Sequence, residues 1–396
     1  MAIGTPFHPR TSTLCDSYDW RQWSGYLSPS SYNDFVQPEY AAIRNAAALI
    51  DVSPLYKYRV EGPDAEALMD RVVTQDVAGQ GVGRVVYTPW CDGRGHVRQE
   101  GTLFRFAADA FQLCAAEPAF AWLRDNAHGM DVRLRDRSAE IAALSLQGPH
   151  SRAILQELVG DDVGELSFFG ITEGRIGTVR VTVSRTGYTG DLGYEIWIPA
   201  DRALDVWDAL METGARWQIT PAGMLAMDIS RIEAGFILIN VDYTSAEIAR
   251  IPDDRVTPYE LGLGWAVKLD GADFVGKRAL IEEKERGPRR RLVGLEIDWE
   301  PLERIYMERD LMPDLPMTAC RESVPVYGEE GLQAGRASSR VWSKLLKKYI
   351  ALATLDAEHA AKGSRVEMEV TVHYSRRRVP ATVVRPPFFR PDRMRA

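Results

Sequence analysis

The chain has 396 residues, with 48 lysines and arginines against 56 aspartates and glutamates, a formal charge of −8. Hydrophobic residues at 45% and charged residues at 26% form an ordinary globular balance, which argues against long disorder, and the length suggests two or three domains. The acidic excess argues against a nucleic-acid partner, because phosphate binding calls for surplus cations.

In chain order, Pro6 to Gln37 is rich in aromatics (Phe7, Tyr18, Trp20, Trp23, Tyr26, Tyr32 and Phe35) and broken by Pro9 and Pro29, so it reads as an irregular arm that needs a surface to pack on. Glu39–Ile50 carries apolar residues at helical spacing. A strand at Tyr56–Glu61 follows, then a helix opened by Gly62-Pro63-Asp64 and running to Val73. Arg84–Thr88 and His96–Phe106 read as strands joined by a turn at Cys91–Gly95. Gln112–Ala115 reads as a short strand, Pro118–His128 as a helix and Val132–Arg135 as a strand, a rhythm that suggests a ferredoxin-like split βαβ unit. The pattern restarts at Ile141–Leu146, with a helix from Gly148-Pro149 to Leu158, strands at Arg180–Ser184 and Glu195–Ile198, and a helix at Ala203–Thr213. Lys284–Arg291 reads as a charged linker. Beyond it, short β-prone runs (Leu292–Ile297, Val324–Tyr327, Ala334–Val341, Ile350–Thr354, Val366–Val372 and Ala381–Val384) suggest a small antiparallel barrel or sandwich.

Several chemistries are disfavoured. The longest apolar runs, such as Phe236–Val241, fall far short of the roughly 20 residues that cross a bilayer, and Met1–Asp16 has no secretion-signal pattern. The cysteines Cys15, Cys91, Cys114 and Cys320 form no C-x-x-C pair, so a reducing cytoplasm fits best, without membrane association. Gly79–Gly83 lacks the ending of a phosphate loop, and no G-x-G-x-x-G follows a strand. The six histidines never fall at H-x-x-x-H spacing, so no metal site is expected, and Ser145 and Ser184 lack a nucleophile-elbow setting.

The informative stretch runs from Ser184 to Ile196, SRTGYTGDLGYEI, where three glycines in seven positions make a tight loop and Glu195 enters the next strand. A carboxylate so placed can accept two hydrogen bonds from a planar amidine-like edge, or it can be a surface residue of a plain hairpin. This loop resembles the R-T-G-Y-T-G-E-x-G-[FY]-E signature of the glycine cleavage system T-protein family. Further similarities follow in order: Leu146–Pro149 to L-Q-G-P, Met227–Gly235 to R-D-x-x-R-L-E-A-G, and Thr257–Trp265 to T-P-x-E-x-G-L-G-W. Phe274–Lys277, Arg290–Leu295 and Pro386–Phe388 complete the set.

The resemblance implies an α+β, three-domain cloverleaf with tetrahydrofolate in a central funnel. Its domains would be residues 1–51 with 146–240 (folate-binding), 52–145 with 241–288 (a second α+β unit), and 289–396 (the barrel). It implies that Glu195 holds the pterin, with Tyr188 lining the ring, Gln147 offering its amide, and Arg231 and Trp265 nearby. Arg231 has an alternative role in an ion pair with Asp228, three residues earlier on one helix face. Where the family carries Asp-Asp, this chain has Gln99-Glu100, and Pro54-Leu55 stands where the family commonly has His-Met. A longer acid at 100 disfavours ordinary aminomethyl transfer, since catalytic groups need close positioning.

The expected activity is therefore that of the family's folate-dependent demethylases, moving a methyl group from a small sulfonium, N-methyl or O-methyl compound to N5 of tetrahydrofolate. Glu100 is the candidate proton acceptor, with Tyr188 beside it as a catalytic group. Trp20, Trp23, Tyr26 and Tyr32 of the arm are candidates to enclose the substrate, with a preference for a cation. Tyr56, Trp90 and Arg105 complete the expected substrate wall. The alternatives are an aminomethyltransferase served by a lipoylated carrier, and a folate-binding protein without activity.

Overall fold

The computed structural model describes residues 2–395. It is a mixed α/β structure in which two sheets and a closed barrel surround a common centre. Among the described residues, no helix is long and apolar enough to cross a membrane.

The six-stranded sheet runs in the order Ile171–Ile176, Val179–Ser184, Gly193–Pro199, Ile141–Gln147, Ala47–Asp51, Ile219–Pro221. Side chains alternate between its faces. Leu144, Leu146, Tyr194, Ile196 and Ile198 meet the helices Ser151–Val159 and Ala203–Gly214, whose Ile154, Leu155, Val206, Trp207 and Leu210 fill the same core. Ser145, Glu195 and Trp197 belong to the opposite face.

Glu39–Ile50 is not one helix. The helix Gln37–Asn45 ends at Ala46, and Ala47–Asp51 becomes a strand paired with Ile141–Gln147 and Ile219–Pro221. Alanine favours helix, but burial between two strands outweighs that small preference.

The five-stranded sheet has the order Arg84–Cys91, Val97–Ala107, Ala110–Ala115, Tyr56–Glu61, Arg133–Asp136. One face, with Tyr58, Val60, Trp90, Leu103 and Leu113, packs on the helices Ala65–Val72 and Phe120–Asn126. Glu100, Thr102, Phe104 and Cys114 have the other parity.

Residues 290–384 close the barrel, in the order Arg290–Ile297, Lys348–Asp356, Gln333–Ser343, Val324–Tyr327, Arg365–Val372, Ser375–Val384. Every barrel pairing is antiparallel. The sequence pattern missed the helix Trp299–Met307 inserted after its first strand, and the expected linker is shorter than Lys284–Arg291, because its start is the end of the helix Lys277–Arg286 and Arg290 opens the first barrel strand.

The aromatic arm is more regular than expected. The helix His8–Leu14 is inserted after the first strand of a small sheet of Ile3–Gly4, Tyr26–Pro29 and Trp20–Trp23. Buried Glu39 fastens it, accepting hydrogen bonds from the backbone N–H groups of Tyr32, Asn33 and Gly223. At the other end, the segment after the barrel returns to the six-stranded sheet. There Arg393 pairs with Asp191 at 2.6 Å, and the amides of Phe388 and Phe389 both donate to the carbonyl of Glu233.

Candidate active site

The sheet faces that carry Glu195 and Glu100, the helix Met224–Glu233, one edge of the barrel, the small N-terminal sheet and the returning tail line a cavity of about 1460 Å³. Its wall includes Trp23, Glu100, Thr102, Cys114, Ser145, Tyr188, Glu195, Arg231, Val293 and Pro386.

Glu195 is directly opposite Ser145 and Ser184 in the sheet register, on the face that packs against the helix Met224–Glu233 and borders the cavity. The hydroxyl of Thr186 donates to its Oε2 at 2.5 Å. Burial raises its pKa above the ordinary carboxylate value against that stabilising bond. The carboxylate keeps acceptor capacity towards the cavity.

Gln147 explains the spacing of the loop glycines. It is fully buried, donates to the Thr186 carbonyl and the Ser145 hydroxyl, and accepts from the Thr189 hydroxyl at 2.7 Å. A Cβ on Gly187 or Gly193 would lie 2.3 or 2.1 Å from its Oε1. Two glycines thus make room for one amide, which in turn holds the loop beneath Glu195.

Glu100 belongs to the other sheet. Tyr243 donates to its Oε1 at 3.2 Å, and the phenol of Tyr87 stands beside it. Burial pushes the carboxyl up to about 7, with the Asp242 charge adding to the rise and the two hydroxyls opposing it. Neutral and ionised forms therefore coexist near neutrality, as an acid–base group requires. Trp265, 58% exposed, lies at the cavity edge and stacks on Tyr87 with centroids 6.0 Å apart.

Tyr188 presents its ring to the cavity, stacked on Phe236 at 5.7 Å, while its hydroxyl donates to the carbonyl of Ile237. That proton is committed to the backbone, so Tyr188 is a wall and not a proton donor. Arg231 is fully buried and bonds to Asp228 (2.7 Å), Asp242 (2.6 Å), Ser339 (2.8 Å) and the Phe236 carbonyl. It joins its helix to the barrel, so the ion pair with Asp228 is real and is one of several.

Three comparisons bear on this arrangement. Residues 12–271 match the GCVT N-terminal domain, and residues 290–390 match the glycine cleavage T-protein C-terminal barrel domain. The chain belongs to the glycine cleavage T-protein family. Curated relatives include an aminomethyltransferase of Halothermothrix orenii, 32% identical over 371 residues, covering 93% of this chain and 95% of that protein. Another, from Bacillus cytotoxicus, is 34% identical over 375 residues and covers 93% of each. The crystal structure of the glycine cleavage system aminomethyltransferase T from Bartonella henselae superimposes with a TM-score of 0.82 over 98% of both chains, at 24% identity, and shares the fold.

Within this family fold, the cavity gathers Trp23, Glu100, Tyr188, Glu195, Arg231 and Trp265, whereas the other expected residues lie elsewhere. Gln147 is behind the loop. Trp90 is in the helix-side core of its sheet, completely buried, because its parity matches Leu103 and not Glu100. Arg105 shares that parity and is spent on Glu66 and on the carbonyls of Val77, Gln80 and Ala108. Tyr56 stacks on Tyr58 on the same side.

In the arm, Trp20 packs edge-on against His8, Tyr26 sits opposite Trp23 at the hairpin end, and Tyr32 is buried beneath. The four rings form no cage, because alternation puts Trp20 and Trp23 on opposite faces of the hairpin and Tyr32 lies beyond it. Three neighbours of the acid were not anticipated. Tyr87 shares the cavity-facing parity of its strand and was legible in principle. Tyr243 and Asp242 come from an irregular loop with no pattern to announce them.

Proposed function

We propose that this family member transfers a one-carbon unit to N5 of tetrahydrofolate. The observation that carries the reading is one large cavity bordered by two desolvated carboxyls from different sheets, Glu195 and Glu100. Its volume exceeds the usual ligand pocket of roughly 300–1,000 Å³, so folate and a second reactant fit together.

Tetrahydrofolate would supply the nucleophilic nitrogen. Glu195 would hold the N–H edge of the pterin, positioned by Thr186 and, through the loop, by Gln147. Burial makes such a charged hydrogen bond strong. Glu100 would take up the proton released at N5, oriented by Tyr243 and Tyr87, and its carboxyl near 7 suits both accepting and returning it. The rings of Tyr188 and Trp265 would flank the reactants and exclude water.

For the donor, the names of the relatives favour an aminomethyl unit over the methyl group that the sequence alone suggested, and a lipoylated carrier is the donor we infer for that reading. Gln99-Glu100 in place of the signature's Asp-Asp favours the second reading, a small methylated compound demethylated by the same site.

One assay separates them. Purified protein and tetrahydrofolate are supplied with an aminomethyl-loaded lipoyl carrier or with methylated sulfonium, amine and methoxy compounds. Formation of 5,10-methylenetetrahydrofolate supports the first reading and 5-methyltetrahydrofolate the second. Absence of folate binding sinks both.

A further inference from the structure

We propose that the one-carbon donor carries a carboxylate, held in the cavity wall by Arg21 and Arg321. The inference rests on the transferase reading above and narrows its donor to an anion or a zwitterion.

Arg21 lies on the strand Trp20–Trp23, two residues before Trp23 and on the same strand face; both line the cavity. The arm that was expected to deliver four aromatic rings thus delivers one ring and a guanidinium. Arg321 reaches the cavity from the barrel side, next to Cys320, whose backbone bridges to Arg340.

Each arginine is tethered by its Nε. That of Arg21 donates to the Ser30 hydroxyl at 3.3 Å, and that of Arg321 to Asp228 Oδ2 at 2.6 Å. Among the described residues, the Nη groups of both have no hydrogen-bond partner in the protein. Ser30 also accepts the Leu225 amide through its carbonyl, so Arg21 is tethered at the start of the helix whose Asp228 holds Arg321, and the charge of Arg321 lowers the pKa of Arg21 further after burial.

Nearby carboxylates do not satisfy this charge. Asp228 already serves Arg321 on one oxygen and Arg231 on the other, and Asp242 serves Arg231. Two arginines thus take up both buried aspartates, and among the described residues Arg21 pairs with neither. Asp19, exposed beside the strand, attracts Arg21 but forms no ion pair with it among the described residues. Two like charges with free planar N–H edges at a cavity wall match the fork geometry of a carboxylate, which would relieve their repulsion.

The pair also shares a cavity with the acid. Tyr188, Glu100, Arg21 and Arg321 all line this one cavity. Folate brings its own glutamate, but other cations line other parts of the wall: Arg291 and Lys362 on the barrel, Arg385 and Arg395 on the tail. A lipoamide arm is uncharged and would leave Arg21 and Arg321 unused, so the pair favours a small free donor.

The test uses the full chain loaded with tetrahydrofolate. The probes are N,N-dimethylglycine, methoxyacetate and dimethylsulfoniopropionate, each compared with its methyl ester by calorimetric titration. We expect at least one acid to bind, with its ester about 10- to 100-fold weaker, the range for losing hydrogen bonds to a charged group. Arg21→Gln and Arg321→Gln should weaken that acid by a similar factor while leaving the ester and tetrahydrofolate unaffected, and Arg21→Lys should recover part of the loss. Arg21 has a single tether, so its variants decide the matter if Arg321→Gln disturbs Asp228 and fails to fold.

Equal binding of acid and ester, or no binding of any acid, overturns the proposal. A parallel loss of tetrahydrofolate affinity in Arg21→Gln also overturns it, by assigning the pair to folate's own glutamate. Failure of the unaltered protein to bind tetrahydrofolate overturns the transferase reading as well. Normal folate binding without an acid preference overturns this inference alone.

Discussion

Replacing Glu100 by glutamine should make the protein more stable at alkaline pH and less active. In the unfolded chain this carboxyl titrates at 4.5, and in the folded protein at about 7. Below 4.5 both states hold the proton and the folded state's preference for a neutral group is fully in force. Between 4.5 and 7 the unfolded chain has released its proton while the folded one retains it, so stability falls as pH rises. Above 7 the whole contribution is gone.

At about 1.4 kcal/mol per pKa unit, the full swing is roughly 3 kcal/mol. Glu100 borders the cavity, so water there screens part of it, and about 1–3 kcal/mol is the expected gain for Glu100→Gln at pH 8 relative to pH 4. The amide keeps an oxygen to accept from Tyr243. Thermal melts of both proteins across this range read the difference. Turnover supplies the second readout, because the rise of kcat/KM with pH through about 7 should vanish in the variant. A stability difference independent of pH, or unchanged turnover, would refute the argument that this carboxyl is buried and poised.

Other outcomes follow from the same geometry. Glu195→Ala should weaken tetrahydrofolate binding by ~1–3 kcal/mol in a direct titration. Wild-type affinity should decline on acidification through the raised pKa of Glu195, and the variant should lose that dependence. Gly193→Ala should force Gln147 out of its hydrogen bonds, costing about 1–3 kcal/mol in denaturation experiments and loosening folate. Trp90→Ala should cost about 3–5 kcal/mol of stability through the cavity it leaves in the helix-side core. Any donor KM measured on the surviving folded fraction should be unchanged, since the ring is outside the active-site wall.

Much of the fold was legible because its strands alternate cleanly. The glycine-spaced loop before Glu195 and the evenly spaced barrel strands have local causes, one in the room that Gln147 needs and the other in turn spacing. What the sequence concealed depends on parity and distance. Trp90 and Glu100 are both plausible site residues by type, yet cross-strand register puts them on opposite faces of one sheet. Ala47–Asp51 is a strand only because two neighbours, one nearly 100 and the other 170 residues later, pair with it. Tyr243 and Asp242 reach Glu100 and Arg231 from a loop without periodicity, and Arg21 meets Arg321 across 300 positions of sequence. Such pairings have no local signal.

The returning tail has a consequence for how the molecule comes into being. Both sheets and the barrel precede Pro386 in the chain, yet Pro386, Pro387 and Arg395 furnish part of the central wall, and Arg393 moors them to Asp191. During synthesis the three lobes therefore assemble around a chamber that stays breached until residues 386–395 leave the ribosome and tie down. A chain cut short before Pro386 would carry both carboxyls in place around a vessel that leaks.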